Sequence, residues 1–463
     1  MKPVNIDDIK IHEILESSND PDPNRIKEIL HKALNLESLT LEDIVALTKI
    51  NEPELQNRMF ETARKIKEKV FGKRLLLFVP LYISNYCCND CAYCAFRSSN
   101  RELIRLNLSQ DEIKKETEVL LSKGHTCVLL VTGEAYPAGE GISYITKAVE
   151  TIRTAKIENN AIRRVNINIA PLSIDDYRKL KSADIGTYHL YQETYHQKTY
   201  SDVHPRGKKS DFEYRISAID RAIEGGLTDV GLGVLLGLYD WRFEILALMQ
   251  HIRHIESNYG IHPHTISIPR VGPALGSSLA GNPPFKVSNE EFAKLVAILR
   301  LALPCTEIIL STRETPRIRR DTYALGVSQI SAGSRTSPGG YSSSFFSGVS
   351  SQFQLGDLRS LEEVVLDAAV LGYIPSLCGA CGSACRSNDV LKQAKEGKLR
   401  DICDQNALIT FFEYILDYAS EDTRAICEKL IDKHLESMDS EQKDMTKDLL
   451  DKIRSGERNL DFV

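Results

Sequence analysis

The chain reads as an α/β protein whose centre is a closed parallel (β/α)8 barrel of the TIM type. Short apolar runs recur through the middle of the sequence, each is followed by a segment of helical periodicity, and the runs are apolar at nearly every position. Strands that lack polar alternation are buried on both faces, the condition of a parallel sheet covered by helices. Eight strand and helix alternations suffice to close a barrel, and 463 residues leave room for appendages beyond the roughly 250 to 350 residues that such a barrel needs.

Residues 1–72 are expected as an N-terminal helical extension. Thr40-Leu-Glu-Asp supplies a helix start, and an amphipathic run extends from Glu54 to Val70, just after Pro53. The barrel is expected over 73–348, with strands at 74–84 (RLLLFVPLYIS), 126–133 (TCVLLVTG), 163–170 (RRVNINIA), 185–193 (IGTYHLYQE), 229–236 (DVGLGVLL), 264–269 (HTISIP), 307–312 (EIILST) and 327–333 (VSQISAG). Amphipathic segments such as LSQDEIKKETEVLLSKG separate them. Past Gly348 the strand pattern stops, and 349–463 reads as a helical C-terminal domain. The Ser/Gly-rich stretch at 337–352 reads as a linker or lid.

Composition narrows the function classes. The net charge is −6 with no block of basic residues, so the electrostatic footprint of a nucleic-acid binder is missing. No apolar segment is long enough to cross a bilayer, and the N-terminus MKPVNIDDIKIHE lacks a basic and apolar leader. A cytoplasmic enzyme is the expected class, with no membrane or nucleic-acid partner.

A reducing cytoplasm disfavours disulfides, so the eleven cysteines point to metal or redox chemistry where they cluster. Cys87, Cys88, Cys91 and Cys94 form one group, and Cys378, Cys381, Cys385 and Cys403 another. Cys127, Cys305 and Cys427 stand singly and read as small buried hydrophobes. The first group follows the first strand, at the end of a barrel where active sites are assembled. Cys87-x3-Cys91-x2-Cys94 offers three thiolates in one loop. Three can hold three irons of a [4Fe-4S] cluster, whose usual complement is four cysteines, and leave one iron open. Zinc is the rival, although structural zinc sites usually draw four ligands from two separated pairs.

That spacing, with Tyr93 before the last cysteine, resembles the signature of radical S-adenosylmethionine (SAM) enzymes. The resemblance implies a radical SAM (β/α)8 barrel whose open iron is chelated by the amino and carboxylate groups of SAM, and whose electron cleaves SAM to a 5′-deoxyadenosyl radical. Cys88 falls at a variable position and is expected unligated. Between residues 74 and 345 the segments RRVNINIA, GTYHLYQETYH, DVGLGVLLGLYD, PHTISIPR, STRE and SQISAGS resemble the radical SAM tyrosine lyases. The branch that serves [FeFe]-hydrogenase maturation is closer than the one that serves thiazole synthesis.

The resemblance implies roles residue by residue. Thr132, Gly133 and Glu134 match the motif that meets the SAM amino group. Glu193 matches the acid that contacts the SAM ribose or amino group, since a carboxylate can accept from both. Arg215 or Arg221 holds the SAM carboxylate, and Tyr93 belongs to the same cofactor-binding set. Arg313, in Ser311-Thr312-Arg313-Glu314, matches the fork that takes the carboxylate of the substrate amino acid, with Ser311 and Glu314 grouped beside it as catalytic candidates. A barrel-rim salt bridge between Arg313 and Glu314 is the plainer alternative. His264 is implied as a ligand to an extra iron. Ser331, Ser334, Gly339 and Gly340 fit the last strand and its loop, where phosphate or carboxylate contacts collect in barrels.

In the hydrogenase-maturation branch a C-terminal CxxC precedes a third cysteine, matched here by Cys378, Cys381 and Cys403. A second iron-sulfur cluster with an open iron is thereby implied, a platform for extra iron, free cysteine, CO and cyanide. The stretch GSACRSNDV departs from the pattern by adding Cys385. A fourth thiolate there would close the cluster and suit electron relay, or complete a zinc site. The implied reaction is Cα–Cβ cleavage of L-tyrosine to p-cresol and dehydroglycine, the latter converted to CO and cyanide on iron for the hydrogenase H-cluster. Ferredoxin or flavodoxin as electron donor and other hydrogenase maturation proteins are the implied partners. A lyase that stops at dehydroglycine, one acting on another aromatic amino acid, and a non-catalytic iron-sulfur scaffold are the alternatives.

Overall fold

The computed structural model describes residues 2–17, 22–158, 160–343, 348–377 and 390–460. Its centre is a barrel of eight parallel strands: β1 (Arg74–Ser84), β2 (Cys127–Thr132), β3 (Arg164–Asn168), β4 (Tyr188–Glu193), β5 (Val230–Val234), β6 (Thr265–Ser267), β7 (Glu307–Leu310) and β8 (Val327–Ser331). Each pairs with its neighbour in sequence order, and β8 closes on β1 with Leu76, Leu77 and Phe78 opposite Gln329, Ile330 and Ser331. All eight strands lie within the segments expected from the sequence.

β1 shows why polar alternation is absent. Leu75, Leu77, Val79, Leu81 and Ile83 join the main core outside the barrel, while Phe78 and Tyr82 join an inner cluster with Leu129, Val131 and Ile309. Both faces are therefore apolar.

The N-terminal extension folds as helices, among them Leu41–Thr48 and Pro53–Phe71. Thr40 caps the first of these, its hydroxyl accepting from the Asp43 N–H while the Asp43 carboxylate accepts from the Thr40 N–H. The second has proline in its first turn and stops at Gly72, whose φ of +57° favours glycine. A Cβ at Gly72 would lie 2.4 Å from Asp404 Oδ1, so the extension and the C-terminal helices meet beneath the barrel.

Buried ion pairs brace that N-terminal end. Arg74 meets Glu307 at 2.6 Å with both side chains 1% exposed, and Arg164 meets Asp229 at 2.6 Å. Removing one partner strands a charge in the core, so Arg74→Ala is expected to cost about 3–5 kcal/mol. The shift of a chemical-unfolding midpoint, followed by far-UV circular dichroism, checks it.

The region beyond 348 is more entwined with the barrel than the sequence suggested. A ninth strand, β9 (Ile374–Ser376), pairs in parallel with Arg74, Leu75 and Leu76 at the start of β1. Three residues are too few to register as a periodic strand in sequence. Residues 349–357 also stay on the barrel: Ile104 N–H donates to the Val349 carbonyl, Ala95 N–H to that of Gln352, and Gly356 N–H to that of Thr312. Helices Leu361–Val370, Lys398–Asp417, Glu421–Glu436 and Ser440–Arg454 follow. Among the described residues no helix is long and apolar enough to cross a membrane.

Candidate active site

The loop after β1 is fixed before any ligand is considered. Arg105 donates to the carbonyls of Asn85, Phe96 and Arg97 at 2.7, 2.7 and 2.5 Å, and the Asn85 amide donates to the carbonyls of Ile104 and Ser350 at 2.8 and 3.1 Å. Held in this way, Cys87, Cys91 and Cys94 line one cavity of about 190 Å³ at the C-terminal ends of the strands. Cys88 is exposed and lies outside the cavity wall. Burial pushes the thiols of Cys91 and Cys94 up, to about 12 and about 11. As bare thiols they are neutral, and metal ligation is what deprotonates such a group. Among the described residues no three His, Cys, Asp or Glu side chains converge closely enough to hold a single metal ion. A cluster gives each thiolate its own iron, so three thiols spread around one cavity fit it.

Thr132, Gly133 and Glu134 bring the end of β2 against this loop, and all three line the cavity. A Cβ on Gly133 would lie 2.2 Å from the Tyr86 carbonyl oxygen, so the residue is glycine because two backbones touch there. Asn89 donates to Glu134 Oε2 at 2.6 Å and accepts from the Lys209 backbone N–H at 2.8 Å, joining three loops.

Glu193 ends β4 with φ +72°, a conformation that glutamate rarely adopts and that strained functional positions tolerate. Its carboxylate is held by Lys209 at 2.6 Å and Arg215 at 3.7 Å. Burial works to raise its pKa, but Lys209 and Arg215 outweigh that and hold it below the usual glutamate value. The Arg215 guanidinium also donates twice to the Tyr191 carbonyl, at 3.0 and 2.6 Å. Arg221 is committed elsewhere: it donates to the carbonyls of Leu172 and Tyr214 and lies over the Tyr214 ring, away from the cavity wall. Of the two arginines, Arg215 is the one presented to the site. Tyr93 lines the cavity, with its hydroxyl 2.8 Å from His204 Nε2.

After β7 the Arg313 guanidinium, also in the cavity wall, stacks on Phe353, 3.4 Å from the ring centroid. Glu314 does not neutralise it, being paired through both oxygens with Arg270, so the rim salt bridge between residues 313 and 314 is not formed. Glu314 also lies outside the cavity wall, which removes it from the group expected around the substrate. Ser311 is in the wall and its hydroxyl accepts from the Arg313 N–H at 3.3 Å; Ser331 is there too and accepts from the Thr312 N–H at 3.0 Å. Ser334, Gly339 and Gly340 do not line it.

His264 precedes β6 and so stands at the N-terminal end of the barrel, opposite the three-cysteine loop. It lines a separate cavity of about 410 Å³. Cys403 is buried on the helix Lys398–Asp417; Cys378, Cys381 and Cys385 lie outside the described residues. Of the single cysteines, Cys127 and Cys427 are buried as expected, whereas Cys305 is only half-buried and lines the His264 cavity.

Sequence reasoning missed Lys209, Asn89, Gln352 and Phe353. Nothing in GKKS distinguishes Lys209 from its neighbour Lys208. Gln352 and Phe353 arrive from a stretch that reads as linker and its border.

The pattern of the Radical SAM superfamily matches residues 81–251, and that of the Biotin and Thiamin Synthesis associated domain matches residues 267–374. Over 314 residues the chain is 34% identical to the 2-iminoacetate synthase of Salmonella typhimurium, covering 67% of this chain and 80% of that protein. Against the crystal structure of HydG, a maturase of the [FeFe]-hydrogenase, the TM-score is 0.94, with 43% identity and 99% of each chain covered. The maturase HydG from Carboxydothermus hydrogenoformans gives 0.83 at 37% identity, covering 96% of this chain and 97% of that one.

Proposed function

The chain belongs to the radical SAM superfamily, and on that premise we propose that it is a tyrosine lyase of the HydG type, cleaving the Cα–Cβ bond of L-tyrosine to p-cresol and dehydroglycine. The supporting observation is one cavity that joins a three-thiol loop, the Glu193–Lys209–Arg215 charge cluster and a guanidinium with no ion pair among the described residues. When bound, a [4Fe-4S] cluster and SAM supply a 5′-deoxyadenosyl radical on reduction.

The protein's own residues divide the remaining work. Cys87, Cys91 and Cys94 would hold the cluster. Thr132, Gly133 and Glu134, with Glu193, Arg215 and Tyr93, would hold SAM, and Lys209 keeps the Glu193 carboxylate ionised and aimed. Arg313 would take the tyrosine carboxylate, leaving the amino group to meet the radical. Phe78, Tyr82, Leu129 and Ile309 line the cavity with apolar surface and exclude water, so that a reactive carbon meets only the bound substrate.

Iron held at the tail would supply the chemistry that turns dehydroglycine into CO and cyanide for [FeFe]-hydrogenase assembly. The tail would bind a second cluster through Cys378, Cys381 and Cys403, with an extra iron at His264 and free cysteine as a further small molecule. Ferredoxin or flavodoxin as electron donor, other hydrogenase maturation proteins as partners and a cytoplasmic location complete the reading. A lyase that stops at dehydroglycine is less favoured, because the likeness to HydG extends over 99% of the chain and that to the 2-iminoacetate synthase over 67%.

An anaerobic assay of iron-reconstituted protein with SAM, reductant and L-tyrosine is expected to yield 5′-deoxyadenosine, p-cresol and CO together. p-Cresol without CO would end the reaction at dehydroglycine. Deoxyadenosine without p-cresol would overturn tyrosine as the substrate.

A further inference from the structure

Two of the three thiols in the loop after β1 each face a side-chain amide. Asn89 Nδ2 lies 3.6 Å from Cys87 Sγ, and Gln352 Nε2 lies 3.7 Å from Cys94 Sγ, to which the Phe96 N–H also donates. Asn89 divides its amide, because the Glu134 carboxylate accepts from the same nitrogen at 2.6 Å. Among the described residues the Gln352 amide nitrogen has Cys94 as its acceptor and nothing else.

Chemistry fixes which end of that amide faces the sulfur. A thiolate that ligates metal accepts and cannot donate, so the NH2 group points to it and the carbonyl oxygen turns the other way. That oxygen meets Tyr82, whose hydroxyl donates to it at 2.8 Å. The backbone around Gln352 is tied at four points. Its N–H donates to the Thr336 carbonyl at 2.9 Å, and its own carbonyl accepts from the Ala95 N–H at 3.2 Å. The Thr336 hydroxyl donates to the Phe353 carbonyl at 2.9 Å, and the Gln354 N–H donates to that of Pro273 at 2.8 Å. Ala95 directly follows Cys94, so this segment and the cysteine loop are fastened to each other where the amide meets the thiol. A dipole held in place beforehand needs no reorganisation when charge forms beside it.

We propose that Gln352 is a positioning residue that sets the reduction potential of a cluster held by Cys87, Cys91 and Cys94, through its amide N–H on Cys94 Sγ. Reduction takes one electron from an external one-electron donor, forms and breaks no bond and moves no proton. The added negative charge extends onto the cysteine sulfurs, so a hydrogen bond aimed at one of them stabilises the reduced state more than the oxidised one and raises the potential. The inference rests on the proposed reading of the three cysteines as cluster ligands, and it is independent of which substrate the cavity takes.

The test is a redox titration of anaerobically reconstituted full-length protein, poised with viologen mediators and read by electron paramagnetic resonance. The signal followed is the one that S-adenosylmethionine shifts, which sets the cluster in this cavity apart from any at the tail. Gln352→Leu, which has no N–H to offer, is expected to lower the ratio of reduced to oxidised cluster about fivefold at a fixed potential, equivalent to ~40 mV for a one-electron couple. Gln352→Glu keeps the length and an acceptor for Tyr82 but has no donor when ionised; it is expected to shift the ratio in the same direction, and it decides the matter if the leucine variant fails to assemble its cluster. A cluster-loaded variant that keeps the parent's potential overturns the role of Gln352 and leaves the three cysteine ligands standing. A parent protein that assembles no cluster responsive to S-adenosylmethionine overturns the reading of the cysteines, and this inference with it.

Discussion

Cys91→Ala is expected to bring 5′-deoxyadenosine formation below detection, while Cys88→Ala holds it within about twofold of the parent, since an exposed side chain outside the cavity wall contributes little. Four cysteines fall within eight residues, and composition treats them alike. The loop does not: Cys87, Cys91 and Cys94 face one cavity, and Cys88 faces solvent. With three protein thiolates and one open iron, losing any of the three leaves two irons without a protein ligand. Cys87→Ala and Cys94→Ala are therefore expected to behave as Cys91→Ala does. Iron content and the electron paramagnetic resonance of the reduced protein, read alongside deoxyadenosine, separate loss of the cluster from loss of turnover. A Cys88→Ala protein without its cluster signal would mean that the loop is threaded differently.

The legibility of this chain follows the range of the interactions involved. The eight strands are legible because strand propensity and burial on both faces are local properties, and the first, expected at 74–84, is observed at Arg74–Ser84. The segment expected at 264–269 shrinks to Thr265–Ser267, and at its C-terminal end Pro269 has no N–H to donate to a ladder. The cysteine loop was legible because its chemistry lies in the spacing of residues along one turn of chain. Ion-pair partners were not. Glu314 stands next to Arg313 in sequence, yet it pairs with Arg270, 44 residues away. Arg215 and Arg221 lie on consecutive short helices, and only packing decides that one faces the cavity while the other satisfies carbonyls behind it. Phe353 could not be foreseen because it belongs to a segment that returns to the barrel after the last of the eight strands. For the same reason the boundary expected at 348 cuts through the wall of the cavity, whereas the domain pattern spanning 267–374 runs across it.

Arg313→Ala is expected to lower kcat/KM for L-tyrosine by about 100-fold or more, since a charge-assisted, two-pronged contact to a carboxylate contributes roughly 3 kcal/mol in a site shielded from water. Burial draws the Arg313 pKa down from the usual arginine value, against the pull of Tyr82 and Glu193, so the cation gains from a bound anion. The Phe353 ring beneath it fixes the plane of the fork, which a lysine cannot reproduce. Arg313→Lys is accordingly expected to recover only part of the loss. Tyramine, which keeps the amino group and the phenol but has no carboxylate, isolates the contact: the parent should prefer tyrosine strongly, and Arg313→Ala should handle the two almost equally. Because Arg313 follows β7 and neither ion-pairs with Glu193 nor belongs to the cysteine loop, SAM cleavage should continue in the variant while p-cresol formation falls, raising the ratio of deoxyadenosine to p-cresol. If Arg313→Ala instead loses both products in proportion and still prefers tyrosine over tyramine, the carboxylate is held elsewhere and Arg313 serves the architecture of the wall.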